Sequence, residues 1–158
     1  MANVTPGLEA LAASGLDYEV VRYERARSVS EAAAKQNIDD ESVLKTLVVR
    51  RGEGDYLFVL VPGDREMDWA KLRSHLGISR VTMPDVDEAK DVTGYERGAI
   101  TPLGATTAWP VVADASIASM ELVSIGAGAH GVSAHLDGGA LVAYLGAVEA
   151  DVTTRADG

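Results

Sequence analysis

The sequence predicts a single domain of the mixed α/β (α+β) class, in which helices flank a β-sheet. Apolar runs of strand length alternate along the chain with segments that carry helix-capping signals. The 158 residues, 47% of them apolar, are enough to bury a substantial core. No internal repeat or linker divides the chain. We therefore expect one domain over residues 1–152 and a disordered tail over 153–158, which has no core-forming side chain.

Capping and turn signals mark the elements of the first half. Thr5 and Pro6 suit the N-cap and the first position of a helix, and Ser28 and Glu31 have the spacing of a capping box. Two β-type runs joined by a glycine-bearing turn at 52–55 predict a hairpin. The expected elements are a helix from Thr5 to Gly15, a strand over 18–23, a helix from Ser28 to about Asn37, and strands over 43–50 and 56–61.

The second half continues the alternation. Asp68 and Asp137 can each cap a helix, and Gly77 and Gly146 stand where those helices should end. The expected elements are a helix over 69–75, a strand over 80–83, a helical turn from Asp85, strands over 109–114, 120–125 and 132–136, and a helix from Asp137 to Leu145.

Charge and cysteine content exclude several classes of function. A net charge of −10 counts against broad binding of nucleic acid or anionic membrane, because that binding depends on clustered basic residues. Two local groups of arginines could still bind a few phosphates or could simply be solvated: Arg22 with Arg25 and Arg27, and the pair Arg50 and Arg51. The absence of cysteine excludes disulfides and thiolate chemistry. Three dispersed histidines suggest no metal site, and no segment is long and apolar enough to cross a bilayer, so we expect a cytoplasmic protein without a cofactor.

The segment TGYERGAITPLG at 93–104 has neither a helical nor a strand period. Its glycines permit positive φ and close approach to a ligand, and its proline holds a bend, so it is either a binding loop or a long structural connection. A second glycine-rich run, GAGAHG at 126–131, is expected to form another loop, which can present several backbone N–H groups. Lys45 stands in an otherwise apolar strand, where it either reaches a cleft or extends its ammonium to solvent. Together these three features predict a pocket.

Lys45-Thr46-Leu47 in a strand, the segment 93–104 and the glycine-rich run 126–131 occur in this order along the chain. The ordered set resembles the YbaK/prolyl-tRNA-synthetase-associated editing-domain family, and the resemblance covers nearly the whole sequence. It implies a mixed, partly barrel-like sheet flanked by helices. It also implies an activity, hydrolysis of the ester that joins a wrong amino acid to tRNA. The implied partners are the acceptor end of mischarged tRNA, often tRNA(Pro), and prolyl-tRNA synthetase.

The resemblance also assigns site residues. Lys45 matches the family's key lysine, and Gly98 and Gly104 match its G-x-x-x-P-x-G loop, so these three are the expected catalytic residues. The expected substrate-binding residues are Thr46, Tyr95, Thr101, Pro102, Gly126, Gly128 and His130. Lys45 could bind the phosphate or ribose of the terminal adenosine or stabilise the ester carbonyl, which glycine N–H groups can also hold. No Ser-His-Asp arrangement is evident, so the expected nucleophile is water or the substrate's own side chain.

Thr46 after the lysine resembles the branch of the family that clears cysteine from tRNA(Pro), where the substrate thiol attacks its own ester. Cys-tRNA(Pro) is therefore the first expected substrate, and alanine, serine or threonine on the tRNA are alternatives that differ by one or two heavy atoms. The second glycine run departs from that branch, because Ala127, Ala129 and His130 stand where a Gly-Gly-Lys-Arg-Gly-like run is usual. The alternative from another class is a non-catalytic module that binds aminoacyl-tRNA or docks on a synthetase.

Overall fold

The computed structural model describes residues 4–156, along which helices and strands alternate. The helices are α1 (Pro6–Ser14), α2 (Val29–Gln36), α3 (Trp69–Leu76), α4 (Val86–Thr93) and α5 (Gly138–Leu145), with a short 3-10 helix at Asp40–Ser42. The strands are β1 (Glu19–Arg22), β2 (Leu44–Gly52), β3 (Asp55–Pro62), β4 (Arg65–Met67), β5 (Val111–Asp114), β6 (Val123–Ala129), β7 (Val132–Leu136), β8 (Val148–Ala150) and β9 (Thr153–Arg155).

Each α-helix begins at a side chain that accepts a hydrogen bond from the backbone N–H three residues further on. The capping residues are Thr5, Ser28, Asp68, Asp85 and Asp137. Each helix also ends at a residue in the left-handed conformation, namely Gly15, Asn37, Gly77, Gly94 and Gly146. A side-chain cap stabilises a helix by about 1 kcal/mol. The helix starts predicted from the sequence are therefore confirmed at the level of the individual cap.

Two larger sheets and one small ribbon make up the β structure. The four-stranded sheet has the order β2-β3-β5-β8, with β2 and β3 antiparallel and the other pairs parallel. The three-stranded sheet, β1-β7-β6, is antiparallel, and β4 pairs with β9 in the ribbon. A parallel bridge between Val43 and Ser124 joins the two larger sheets at the start of β2. The mixed α/β class predicted from the sequence is confirmed.

Strand β3 lies at the centre of the fold and has hydrophobic contacts on both faces. Phe58 and Leu60 pack into a core formed with the three-stranded sheet, α1 and α5. Leu57 and Val59 point the other way, into a second core that includes Leu72 of α3. Strand β3 is therefore held in place on both faces, and its pairing with β2 fixes the position of the strand that carries Lys45.

Several sequence predictions of local structure were wrong. The expected tail includes β9, whose Thr153 is fully buried, because hydrogen bonding rather than apolar surface holds this segment; residues 157–158 lie outside the described part. The expected strand at 80–83 is reduced to a bridge between Arg50 and Thr82. The helical turn from Asp85 extends into the full helix α4. The short strands β4 and β8 were missed, because three residues carry too little periodicity to be noticed.

The second glycine run is a strand rather than a loop. Residues up to Ala129 belong to β6, which has a register shift between Gly126 and Ala129, and the reversal of direction falls on His130 and Gly131. The glycines favoured the prediction of a loop, whereas here they accommodate a bulge. Across the described residues, every helix is too short or too polar to span a lipid bilayer.

Candidate active site

A cavity of about 870 Å³ lies between the beginning of β2, the β6–β7 hairpin and the loop after α4. Further walls come from the loop between β1 and α2 and from the start of α4. Five of the residues predicted for the site line this cavity: Lys45, Thr46, Gly98, Gly126 and His130. The structure thus brings together the lysine, part of the first glycine loop and part of the second glycine run. Their roles in catalysis and substrate binding stay predictions.

Lys45 is the second residue of β2 and is paired with Val61 of β3. Its ammonium donates a hydrogen bond to the carbonyl oxygen of Arg65 in β4. An ammonium has three donors, and this is the hydrogen bond found for it among residues 4–156, so two N–H groups remain for a ligand in the cavity. Partial burial lowers the pKa of Lys45 from its ordinary value, and the nearby carboxylates of Glu66 and Asp64 oppose this shift. The side chain is anchored on one side and open on the other.

Gly98 and His130 meet where the loop after α4 approaches the β6–β7 hairpin. Gly98 has φ +90°, and a Cβ atom at this position would lie 3.0 Å from Cε1 of His130. His130 Nε2 lies 4.0 Å from a carboxylate oxygen of Glu96. The glycine therefore places its backbone directly against the imidazole at the cavity wall, which a larger residue would prevent.

The other predicted site residues, four from the first glycine loop and Gly128 from the second glycine run, contribute contacts within the protein rather than cavity surface. Tyr95, Thr101, Pro102, Gly104 and Gly128 are not among the residues that line the cavity in the described part of the chain. The hydroxyl of Tyr95 donates to the carbonyl oxygen of Leu103 at 2.6 Å, and burial raises the pKa of Tyr95. Gly128, with φ +99°, fits against the Tyr95 ring, where a Cβ atom would lie 2.6 Å from Cε1. These contacts fit a role in holding the loop better than direct binding of substrate.

The cavity also has polar side chains that were not predicted from the sequence to be site residues. Ser133 of β7 is within 2.8 Å of the Tyr23 hydroxyl, and Ser124 of β6 donates to the side-chain oxygen of Gln36 at 2.6 Å. The same oxygen of Gln36 is 2.8 Å from Nε2 of His135. The alternating polar face of β7 was the available signal for Ser133. Gln36 on α2 gave no signal, because its contact spans 88 residues of sequence.

The mouth of the cavity is basic although the chain as a whole is acidic. Arg25, Arg27 and Arg97 line it and are exposed, and no ion pair to any of them is found within residues 4–156. Asp85 is the one acidic residue among the described lining residues, and it also caps α4. Arg97 was not singled out from the sequence, and Arg50 and Arg51 instead pair with Glu88 and Asp55.

Metal binding has no support in the geometry: histidines and acidic residues within the described ranges form no group of three or more suited to a metal ion.

Comparison with known proteins identifies the family. Residues 23–144 match the model of the aminoacyl-tRNA editing domain. The proline–tRNA ligase of Trichlorobacter lovleyi is 34% identical over 101 residues, which are 64% of this chain and 18% of the ligase. EbsC of Enterococcus faecalis, named as a candidate Cys-tRNA(Pro)/Cys-tRNA(Cys) deacylase, is 25% identical over 139 residues, which are 88% of this chain and 85% of EbsC. This chain therefore spans less than a fifth of the ligase but most of EbsC.

The fold has a close counterpart among solved structures. The crystal structure of the hypothetical protein APE2540 superimposes with a TM-score of 0.87 at 27% identity, covering 95% of this chain and all of that one. The family match includes β2 with Lys45, the loop 93–104 and the β6–β7 hairpin, so it contains the main walls of the cavity. The resemblance inferred from the sequence is confirmed, and the chain belongs to the aminoacyl-tRNA editing domain family.

Proposed function

We propose that this chain is an aminoacyl-tRNA deacylase that hydrolyses the ester of mischarged tRNA, with Cys-tRNA(Pro) as its first substrate. The observation that carries the proposal is the cavity itself. It is lined by a half-buried lysine, by the backbone of Gly98 and, at its mouth, by the three exposed arginines Arg25, Arg27 and Arg97. An aminoacylated RNA 3′ end has the amino-acid ester at its terminus and the phosphates further along the chain. The ester can therefore enter the cavity beside the lysine while the phosphates stay beside the arginines. The activity belongs in the cytoplasm, where tRNAs are charged and used.

The chemistry needs little beyond positioning and stabilisation of charge. An aminoacyl ester is already activated, so the site must hold its carbonyl and stabilise the oxyanion that develops there. Lys45 supplies N–H donors, and the backbone at Gly98 lines the same cavity. The C–O bond to the ribose breaks, and the ribose oxygen leaves as a hydroxyl after taking a proton. We assign oxyanion stabilisation to Lys45.

The nucleophile comes from solvent or from the substrate. The cavity serines Ser124 and Ser133 form hydrogen bonds with Gln36 and Tyr23, and among residues 4–156 neither has a hydrogen bond to a basic group that could activate it. For a cysteinyl ester, the substrate sulfur attacks its own carbonyl, the ribose oxygen departs, and water then opens the resulting thiolactone to free cysteine. For alanine, serine or threonine, a water molecule attacks directly.

Two relatives support this choice of substrate and partner. EbsC matches over most of both chains and is named for cysteine on tRNA(Pro) and tRNA(Cys). The ligase match concerns enzymes that charge tRNA with proline. We propose tRNA(Pro) as the tRNA and prolyl-tRNA synthetase as a docking partner, to which a net charge of −10 is suited if the docking surface is basic.

The test is deacylation of tRNA(Pro) charged with cysteine, alanine, serine or threonine, with correctly charged Pro-tRNA(Pro) as the control. We expect rapid loss of the cysteinyl species and persistence of the prolyl species. Loss of a different amino acid would change the substrate but keep the activity. Persistence of all four, together with measurable binding of tRNA, would establish a non-catalytic binding module instead.

Removing the charge at the cavity mouth should weaken substrate binding without affecting the chemical step. For the triple variant of Arg25, Arg27 and Arg97 to alanine, we expect KM to rise at least about tenfold with kcat little changed, because the loss of even one charge-assisted contact costs about 1.5–3 kcal/mol and about 1.4 kcal/mol is a factor of ten in affinity. The dependence of KM on salt should become shallower, since fewer counterions are released. Steady-state kinetics at several salt concentrations measure both effects.

Arg80→Ala is the matched control, because Arg80 is exposed and lies outside the cavity lining. It should leave KM and its salt dependence as in the wild type. An unchanged KM in the triple variant would show that the RNA reaches the cavity from another side.

A further inference from the structure

A buried hydrogen-bond network connects β9 to β4, the strand whose Arg65 carbonyl oxygen accepts the hydrogen bond from Lys45. Its centre is Asp114, the last residue of β5, which is 3% exposed. The carboxylate accepts hydrogen bonds from the Thr153 hydroxyl at 2.8 Å and the Ser116 hydroxyl at 2.5 Å, and from the backbone N–H groups of Ser116 and Val152. Burial by itself raises the pKa of Asp114, but these hydrogen bonds together outweigh burial and hold the pKa below its ordinary value. The carboxylate is therefore a permanent acceptor at neutral pH.

Thr153 connects this carboxylate to β4. Its hydroxyl donates to Asp114 and accepts from Nε of Arg65 at 2.5 Å, and its carbonyl oxygen accepts from Nη2 of Arg65 at 3.3 Å. The carbonyl oxygen of the same Arg65 accepts the hydrogen bond from the Lys45 ammonium. A continuous path therefore runs from Asp114 through Thr153 and Arg65 to the lysine in the cavity.

We propose that Thr153 is a positioning residue for Lys45: it fixes Arg65 and with it the carbonyl that directs the ammonium. This inference rests on the proposed function, in which Lys45 acts on the ester. Thr153 itself touches no substrate, and it lies beyond residue 144, where the match to the family model ends.

The small size of the ribbon explains why such an anchor is needed. Strand β4 has three residues, and within the described chain its strand partner is β9, also of three residues. A two-stranded ribbon is only marginally stable without further packing. The buried side of β9 supplies that packing through Thr153, and Lys71 adds a hydrogen bond to the Thr153 carbonyl at 2.9 Å. Loss of the Thr153 hydroxyl leaves Arg65 and Asp114 without their shared partner, so the carbonyl facing Lys45 is no longer fixed.

The test compares Thr153→Val, which keeps the shape and removes the hydroxyl, with Thr153→Ser, which keeps the hydroxyl. Thr154→Val is the matched control, because Thr154 is the next residue of the same strand and is exposed. One readout is deacylation of Cys-tRNA(Pro). The other is the rate of acetylation of Lys45 by acetic anhydride as a function of pH, followed by mass spectrometry, which requires no enzymatic activity. Thermal unfolding shows which variants remain folded at the assay temperature.

We expect Thr153→Val to lower kcat about tenfold with KM unchanged, and to shift the acetylation midpoint of Lys45, because its ammonium no longer has a fixed carbonyl acceptor. Asp64 and Glu66 are the acidic groups near Lys45, and both remain in every variant. Thr153→Ser should restore most of both properties, and Thr154→Val should match the wild type. The proposal is overturned if Thr153→Val leaves the acetylation midpoint of Lys45 unchanged, or if Thr153→Ser is impaired as strongly as Thr153→Val.

The acetylation readout also separates this proposal from the proposed function. If the wild-type chain hydrolyses none of the mischarged tRNAs, the proposed function fails, and the midpoint of Lys45 still decides whether Thr153 positions the lysine. If the wild type is active and the midpoint does not move, only the positioning role fails.

Discussion

Lys45→Ala should reduce deacylation of the preferred mischarged tRNA by about 100-fold or more in kcat while the protein stays folded. The magnitude is that seen when a single group that stabilises an oxyanion is removed, about 10²–10³-fold. The fold should tolerate the change, because Lys45 belongs to neither hydrophobic core and the β2–β3 backbone pairing does not depend on its side chain. Single-turnover kinetics with Cys-tRNA(Pro) measure the chemical step directly.

Two further variants separate the charge from its surroundings. Lys45→Met keeps the apolar stem and should be as inactive as Lys45→Ala, because the ammonium rather than the packing acts on the ester. Lys90→Ala removes an exposed lysine outside the cavity lining and should retain full activity. Wild-type rates in folded Lys45→Ala would remove this lysine from the mechanism, and the oxyanion would then have to be stabilised by other groups of the cavity.

The sequence predicted which residues line the cavity better than it predicted which residues hold them in place. Lys45 was identifiable because a cation in an apolar strand is unusual. Gly98 was identifiable because it lies in a segment without helical or strand periodicity, where a glycine indicates a backbone conformation that other residues rarely adopt. Both signals are local, and both residues line the cavity. The position of Gly104, on the other hand, depends on its contact with α1, almost a hundred residues earlier in the chain. No local pattern distinguishes a glycine that faces a ligand from one that faces another backbone.

The network around Asp114 shows the same limit more clearly. Thr153 was assigned to a tail because its neighbours are polar, and polarity is what the sequence displays. Its burial follows from a carboxylate 39 residues away that requires donors. Hydrogen bonds between distant polar groups leave no periodic trace, so the sequence could not show that the end of the chain reaches the strand beside Lys45.

Gly104→Ala should be among the most destabilising single-methyl substitutions in the protein. Gly104 has φ +67°, and a Cβ atom there would lie 2.3 Å from the carbonyl oxygen of Pro6 and 2.9 Å from the backbone nitrogen of Gly7. These are backbone atoms at the start of α1, where Thr5 and Gly7 are themselves fixed against Ala127 of β6. The left-handed conformation contributes about 1 kcal/mol and the forced shift of packed backbone about 1–3 kcal/mol more. We expect a total loss of about 3 kcal/mol in the free energy of unfolding, measured by urea denaturation.

Gly54→Ala isolates the conformational part of that loss. Gly54 has φ +70°, close to that of Gly104, but no atom lies within 4 Å of the position of an added Cβ. It should therefore lose only about 1 kcal/mol. The difference between the two variants measures how tightly the glycine loop is held against α1. Equal losses would mean that α1 yields to the added methyl group, and the loop that carries Gly98 would then not depend on that contact for its position.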